Sequence, residues 1–333
     1  MLSDCVMYRR DLAALLALLC ALAPGLPSSA ARMMRAENSV LARTQDDDGD
    51  HTPGRAAAWD VVDGAAARAA AATDCLGWPT RRIRYTSDDV IHLEGCGQTF
   101  TLGDIPAAGI GADKLELADP ANKIWLLKVN LKVEEGATLR VAGGPSGDAS
   151  WLRLRSDSSG GIWLRAENGN LLFQDTKVTS WDPVTNAPDT DPTVADDGSG
   201  GRAYIAARSV LTKGRPTAAP TACDIGGGSQ EPYEARMSVV NAEIGYLGYD
   251  AAESYGMVWK VYYKLDPTDP TDAPPPGRQL YALADVFGGA SGSTFHHNYF
   301  GSYTFGGYCM RWAGNTFATI SSMASTRTTT RTI

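Results

Sequence analysis

The sequence predicts an all-β protein and favours a β-solenoid over a sandwich or a barrel. Short strand-like runs, punctuated by Gly, Asn and Asp, follow one another from about residue 82 onward. No amphipathic helical pattern separates these runs, and a small asparagine-containing pattern recurs late in the chain. The 35 glycines and 18 prolines among 333 residues agree with a protein that has many turns.

Residues 1–31 have the features of a cleaved secretory signal peptide. Arg9 and Arg10 precede an apolar run at 12–23, which is too short to span a bilayer, and small residues follow at 28–31. A short membrane anchor is the alternative, and it is disfavoured because no second apolar run follows. We therefore expect a secreted or extracellular protein, as in a cell wall or periplasm, that has no membrane contact after signal cleavage.

Residues 32–80 are rich in Ala, Arg and Asp, and we expect a low-complexity linker or a propeptide there. An alanine-rich helix is the alternative. In a secreted protein, Cys75 and Cys96 are expected to form a disulfide. The cysteines outside the signal segment lack the close paired spacing of a zinc site, so neither a metal site nor a cofactor is expected.

The formal net charge of −8 argues against nucleic acid as a partner, because phosphate binding requires a basic surface. A polyanionic substrate would also need a local basic groove that overrides the mean charge. The candidate residues for such a groove are Arg153, Arg155, Arg165, Lys177, Arg202 and Arg208.

The β domain is expected to span residues 81–317. Its strand-like runs include residues 123–129, 131–133, 137–141, 151–155, 161–165 and 171–173. Two segments, at 182–201 and 265–278, are rich in Pro, Asp or Thr and are expected to be long surface loops. Asn241, Asn298 and Asn315 occupy similar local patterns. They predict either a ladder of stacked amides along a solenoid or three unrelated turns.

Five segments carry a resemblance to a known family. They are residues 178–182 (VTSWD), 243–249 (EIGYLGY), 253–256 (ESYG), 296–305 (HHNYFGSYTF) and 314–317 (GNTF). In order and approximate spacing they resemble the mannuronan C5-epimerases. The resemblance implies a right-handed parallel β-helix of the pectin-lyase-like type, incomplete at its C-terminus.

The resemblance also implies a reaction, the conversion of β-D-mannuronate to α-L-guluronate in alginate-type polymers. A base removes the C5 proton, a cation or hydrogen-bond donors stabilise the carboxylate, and an acid returns a proton on the other face of the ring. The family base is the histidine of an Asp-Pro-His-Asp motif. In ungapped register that motif falls on residues 326–329, which places Thr328 at the base position. No catalytic residue is therefore assigned, and the chain as written is expected to be inactive.

Residues 318–333 lose the strand alternation and contain no aromatic residue. A disordered polar tail is one interpretation. A shifted reading frame is the other, because regrouping the degenerate codons permits the family sequence through Asp-Pro-His-Asp at every position. We therefore expect a frameshifted tail.

The candidate substrate-binding residues are Tyr246, Tyr249, Tyr255, Tyr303 and His297. The tyrosines are expected either to stack on pyranose rings or to pack within the coils. His296 and His297 are adjacent on a predicted strand, so one should point inward and the other outward, at a turn or groove edge. Glu243 and Asp250 are expected to be isolated, solvated acids.

Three functions follow from these observations. The first is an epimerase-like protein that acts on polymannuronate or alginate. The second is a β-helix polysaccharide lyase, and the third is a non-catalytic, secreted carbohydrate-binding β-helix. An anionic polysaccharide is the expected partner, and the sequence indicates no oligomeric state.

Overall fold

A computed structural model describes residues 80–195, 200–212, 234–251, 254–273, 285–308 and 310–320. The predicted signal peptide, nearly all of the predicted linker, Cys75 and Thr328 lie outside these residues. The elements are β1 (Arg82–Thr86), β2 (Val90–Glu94), β3 (Thr99–Phe100), α1 (Asp104–Ala107), β4 (Leu115–Asp119), β5 (Ile124–Leu127), β6 (Asn130–Glu134), β7 (Thr138–Ala142), β8 (Trp151–Asp157), β9 (Gly160–Gly161), β10 (Trp163–Glu167), β11 (Asn170–Gln174), β12 (Lys177–Trp181), β13 (Tyr204–Leu211), β14 (Ala235–Val240), β15 (Glu243–Gly245), β16 (Met257–Tyr263), β17 (Val286–Ser291), β18 (Thr294–His296), β19 (Tyr303–Phe305), β20 (Arg311–Ala313) and β21 (Thr316–Ala318).

The strands form three sheets that run side by side along a solenoid. Sheet A has the order β1-β2-β6-β10-β13-β16-β19, sheet B has β20-β17-β14-β11-β7-β3, and sheet C has β21-β18-β15-β12-β8-β5-β4. Each turn of the chain adds one strand to A, then B, then C. The described residues thus make six coils, and coil 2 is β6, β7 and β8. Pairing between successive coils is parallel, so the predicted parallel β-helix is confirmed, with the right-handed path that such connections follow.

The core is built by columns of inward side chains, because each strand stacks in register on the strand one coil before it. Leu164 pairs with Leu131 on one side and with Ile205 on the other, and all three are fully buried. Trp259 is also fully buried and donates its indole N–H to the Met237 carbonyl (2.9 Å). Alternate residues of the same strands point outward, as the period of a β-strand requires. The outer face of each sheet therefore carries the polar side chains.

The turn from sheet B to sheet C is two residues long in coils 3 to 6. Its first residue has a positive φ each time, at Asp175 (50°), Asn241 (48°), Gly292 (59°) and Gly314 (62°). Asn and Asp tolerate this left-handed region better than other residues with a side chain, and Gly adopts it freely. The sequence of this corner is therefore set by backbone geometry.

The predicted asparagine ladder is wrong. Asn241 is the first residue of its B–C turn, whereas Asn315 is the second residue of another, so the two occupy different columns. Asn298 lies in a turn from sheet C to sheet A, where its amide oxygen accepts the Leu247 N–H (2.9 Å). Each amide instead satisfies local backbone groups, as in the bond from Asn315 Nδ2 to the Ala290 carbonyl (2.8 Å).

The first coil is followed by an antiparallel strand and a short helical turn at the same end of the core. Strand β1 pairs antiparallel with β2. Leu102, and Ile105 of α1, are fully buried in the same cluster as the coil residues. Cys96, which follows β2, is disulfide-bonded, and every other cysteine of the chain lies outside the described residues. The pairing with Cys75 therefore remains a prediction.

Other sequence predictions have clear outcomes. The expected strand runs coincide with β5, β6, β7, β8, β10 and β11. The segment at 182–201 joins sheet C to sheet A, and the segment at 265–278 joins sheet A to sheet B. Of the predicted tail, Ala318 completes β21 and residues 321–333 lie outside the described ranges. Within those ranges the model contains no helix that is long and apolar enough to cross a membrane.

Candidate functional site

The outer face of sheet A contains a cavity of about 290 Å³ that crosses the first five coils. The strands place one to three of its lining side chains on each coil, because outward residues of successive strands are in register. The lining residues are Asp88, Val90, His92, Lys132, Trp163, Arg165, Glu167, Arg208, Val210, Tyr262 and Lys264. We call this the cationic cavity. Four permanent cations line it against two carboxylates, in a protein whose formal net charge is −8.

The cations of coils 3 and 4 lie against aromatic rings. The Arg165 guanidinium is 4.1 Å from the centroid of the Trp163 ring and 5.2 Å from that of Tyr204, and it donates to the Tyr204 hydroxyl. Arg208 lies 5.8 Å from the Tyr262 ring. Stacking on aromatic faces holds a guanidinium in place while its charge remains available. The cavity therefore offers planar cations beside aromatic surface.

Lys132 is tied to two carboxylates at one side of the cavity. Its ammonium lies 2.8 Å from Glu134 and 2.7 Å from Glu167. Burial raises the pKa of Glu134, but hydrogen bonds from Lys132 and His92 and their charges outweigh burial, and the pKa is lowered. The pKa of Lys132 is lowered by burial and raised more strongly by Glu167 and Glu134, so it stays charged. Lys132 is thus a fixed ion-pair partner, unlike the stacked arginines.

Replacement of Glu134 by Gln gives a testable prediction about pH. A carboxyl whose folded pKa is lowered stabilises the fold above its unfolded pKa, about 4.3, and loses that effect as the pH falls through the folded value. We expect E134Q to cost about 1–3 kcal/mol at pH 7, because charged hydrogen bonds are lost, and to cost less near pH 3. Urea unfolding between pH 7 and 3 measures this. Equal losses at both pH values would contradict it.

His92, Glu94 and Glu134 bring their ligand atoms within 4.8 Å of one another. Such a trio has the composition of a metal site. However, Arg84 pairs with Glu94 (2.7 Å), and Lys132 pairs with Glu134 (2.8 Å). His92 Nδ1 lies 2.6 Å from Glu134. Since cations already compensate both carboxylates, the trio is part of an ion-pair network rather than a cation site.

Three of the predicted tyrosines meet on the same face of sheet A. Tyr249, Tyr255 and Tyr303 are half-buried and pack with Trp163 around Tyr204, Ala206 and Val258. The rings of Tyr255 and Tyr303 are 5.1 Å apart, and those of Tyr204 and Tyr249 are 6.2 Å apart. We call these four tyrosines the tyrosine cluster. Tyr204 connects it to the cationic cavity through Arg165.

Tyr246 and His297 lie away from that cluster, at the start of the turns from sheet C to sheet A. They occupy the same turn position in successive coils, with φ of 60° and 54°, and their rings stack at 4.8 Å. His296 ends β18 and lies over Gly245, where a Cβ would meet its ring. Both histidines are partly exposed, so the predicted inward and outward pair is wrong. The left-handed turn at His297 breaks the strand alternation.

Glu243 is not an isolated acid, contrary to the prediction. Its Oε1 accepts from Lys177 Nζ (2.7 Å) and lies 3.0 Å from His296 Nε2. Burial raises the pKa of Glu243, but the hydrogen bonds from Lys177 and His296 outweigh it, and the pKa is lowered. His296 Nδ1 in turn lies 2.9 Å from His297 Nδ1. The result is a polar chain across coils 3 to 5 on sheet C.

The six candidates for a basic groove divide among three places. Arg165 and Arg208 line the cationic cavity. Arg153, Arg155 and Lys177 lie on sheet C. Arg202 is 2% exposed and donates to the carbonyls of Gly248 (2.9 Å) and His297 (2.7 Å), so it is a tie between turns rather than a groove residue. Burial lowers the pKa of Arg202 to about 10, which still leaves it charged at neutral pH.

Sequence reasoning missed several lining residues of the cavity. Lys132, Trp163, Tyr262 and Lys264 were not candidates, although Trp163 and Arg165 alternate on one strand in the sequence. That alternation could have placed the two on one face. Lys264 follows β16, and only the coil stacking brings it near Arg208.

Comparison with known proteins gives a structural likeness alone. No protein-family model matches the chain, and no curated protein matches it. The chain resembles the crystal structure of the periplasmic alginate epimerase AlgG at 15% identity and a TM-score of 0.46, over 68% of this chain and 41% of that one. Two point mutants of AlgG each give a TM-score of 0.44 at 15% and 14% identity, and cover 65% and 68% of this chain and 39% and 42% of theirs. The chain thus spans about two fifths of the length of these structures, and the likeness concerns the fold.

Proposed function

We propose that this chain is a secreted, mannuronan C5-epimerase-like β-helix protein that binds an anionic polysaccharide of the alginate type and does not epimerise it. The observation that supports binding is the cationic cavity, since it concentrates positive charge on one face of an acidic protein. Such a face attracts a polyanion in spite of the mean charge. The ordered sequence motifs give the polymer class.

The cavity suits a chain of uronates in its chemistry and its spacing. Arg165 and Arg208 present planar guanidinium groups, which pair with carboxylates through two parallel hydrogen bonds. Trp163 and Tyr262 supply aromatic surface for pyranose rings. Successive coils are about 4.8 Å apart, and a 1,4-linked pyranose unit is of similar length. A polymer that lies along the solenoid would therefore meet one cation of sheet A per coil.

The tyrosine cluster would extend this binding face toward the later coils. Tyr249, Tyr255 and Tyr303 are half-buried, and they adjoin Arg165 through Tyr204. Their exposed edges and hydroxyls would contact sugar while their buried sides pack on sheet A. Tyr246 and His297, at the corner between sheets C and A, would contact a polymer only where it leaves this face.

Catalysis would be incomplete because the family's base is missing. Abstraction of the C5 proton needs a cation at the carboxylate and a base with a suitable pKa. The arginines supply the first requirement. The base position falls on Thr328, and a threonine hydroxyl does not take up a proton at ordinary pH. This residue favours the non-catalytic carbohydrate-binding function as the second candidate.

The purified 333-residue protein, incubated with polymannuronate, tests both parts. We expect calorimetric binding that weakens with added salt, no rise in guluronate by NMR, and no unsaturated ends by ultraviolet absorption. Guluronate formation would overturn the inactivity, and unsaturated ends would identify a lyase. A neutral β-1,4-mannan is the matched control. Equal affinity for the neutral polymer would overturn the proposed recognition of carboxylates.

A further inference from the structure

The outer face of sheet C carries a second row of polar residues, around the corner from the cationic cavity. Arg153 belongs to coil 2, Lys177 to coil 3, Glu243 to coil 4 and His296 to coil 5. Strand pairing places Arg153 opposite Thr179, Thr179 opposite Gly245, and Gly245 opposite His296. We call this row the sheet C strip. None of its four polar residues lines the cationic cavity.

Arg153 lies against two tryptophans. Its guanidinium carbon is 4.1 Å from the centroid of the Trp151 ring and 3.6 Å from that of Trp181. The two indoles pack edge to face at 5.1 Å, and Trp151 donates its N–H to Thr179 (3.0 Å). Both rings are therefore fixed by their own contacts, and the guanidinium is held against them in turn.

The polar atoms of Arg153 have no partner among the described residues. Its Nε is buried without a hydrogen bond, and its terminal nitrogens bond to no described residue and reach solvent. Burial lowers the pKa of Arg153, with Asp119 opposing the shift from a distance. A cation that is partly desolvated without a partner costs free energy, so such a group requires an explanation.

The neighbouring cations on this sheet differ from Arg153. Lys128 pairs with Glu116 (2.6 Å), Arg155 with Asp157 (2.9 Å) and Lys177 with Glu243 (2.7 Å). Acidic partners are therefore available on this face, and Arg153 has none of them. This contrast shows that the strip leaves one planar cation open while it neutralises the others.

The remaining members of the strip suit hydroxyl groups. Glu243 accepts from Lys177 and lies within hydrogen-bond distance of His296, so its second oxygen is left as an acceptor. His297 continues the chain from His296. A lone guanidinium close to a carboxylate favours a singly charged ligand over a phosphate, which carries more charge. A carboxylate flanked by hydroxyls is the chemistry of an acidic sugar.

We infer that the sheet C strip is a second binding site for acidic saccharides, with the uronate carboxylate on Arg153 and sugar hydroxyls on Glu243 and His296. The inference takes its ligand class from the proposed function. The turns from sheet C to sheet A lie between the two sites, so each holds its own saccharide segment. Two segments of one polymer bound together would raise the overall affinity without new contacts at either site.

Calorimetric titration with tetramannuronate counts the sites. We expect two saccharides per wild-type protein, one for Arg153→Gln, and one for the double variant Arg165→Gln/Arg208→Gln. Arg153→Lys keeps the charge but loses the planar fork, and it should weaken the sheet C site at least tenfold. Arg140→Gln removes a cation from sheet B, where Arg140 bonds to Gln174 (3.5 Å), and should leave two sites.

The outcomes separate this inference from the proposed function. One site in the wild type that only the double variant abolishes would overturn the inference and leave the cationic cavity intact. One site that only Arg153→Gln abolishes would support the strip and overturn the cavity. No binding by the wild type would overturn both. Unchanged circular dichroism and melting temperature of each variant confirm that a lost site is not a loss of folding.

Discussion

Replacement of both Arg165 and Arg208 by Gln is expected to weaken the binding of polymannuronate at sheet A by a hundredfold or more. Each hydrogen bond to a charged group contributes about 1.5–3 kcal/mol, and the pair of substitutions removes at least two of them. Glutamine keeps much of the side-chain length, so packing against Trp163 and Tyr262 is largely retained. Calorimetry in an Arg153→Gln background isolates this face.

The control for this experiment is Arg140→Gln, which makes the same chemical change on the outer face of sheet B. It should leave the affinity within about twofold of the parent. The salt dependence gives a second readout, because a site that loses two cations releases fewer counterions on binding. An affinity that falls equally in the control and the double variant would show that net charge, and not the cavity, determines binding.

Replacement of Gly288 by Ala is expected to lower the free energy of unfolding by about 3 kcal/mol or more. Gly288 lies on β17 with a φ of 117°, which L-residues rarely adopt. An added Cβ would collide with the carbonyl oxygen of Met237 on the adjacent strand. That oxygen also accepts the buried Trp259 indole N–H, so backbone and core would have to shift together. Urea unfolding followed by circular dichroism measures the loss.

Gly109→Ala provides the matched control for the backbone term. Gly109 also has a positive φ (88°), but nothing lies within 4 Å of the position its Cβ would take. Its substitution should cost only about 1–2 kcal/mol, which is the penalty of a left-handed residue with a side chain. If the two alanines cost the same, the close contact with Met237 would contribute nothing, and the prediction would be wrong.

Much of the fold could be predicted from local pattern. The strict alternation at residues 151–155 defines the outward and inward faces of β8, and the structure confirms both. The B–C corner could not be predicted in the same way. Asn241 and Asn315 have similar local sequences, yet they occupy different positions of the turn. Gly, Asn and Asp are interchangeable at a left-handed position, so the identity of the residue does not fix its place.

The candidate site was only partly predictable, because a solenoid brings together residues that are far apart in sequence. The cluster of Tyr249, Tyr255 and Tyr303 was anticipated as a set, but its contact with Tyr204 and Trp163 depends on coil stacking. Arg202 was expected to face a groove, and it is buried. A sequence reports that a residue is polar, whereas the number of carbonyls it can satisfy depends on the turns around it.

The two-residue corner between sheets B and C has a consequence for how this architecture can change. From coil 3 onward its length does not vary, whereas the long connections at 182–203, 212–234 and 264–285 all occur at the other two corners. Foreign segments should therefore be accepted at those two corners and rejected at the B–C corner. The permissive corners flank sheet A, so new loops can diversify the walls of its cavity while the coils keep their stacking.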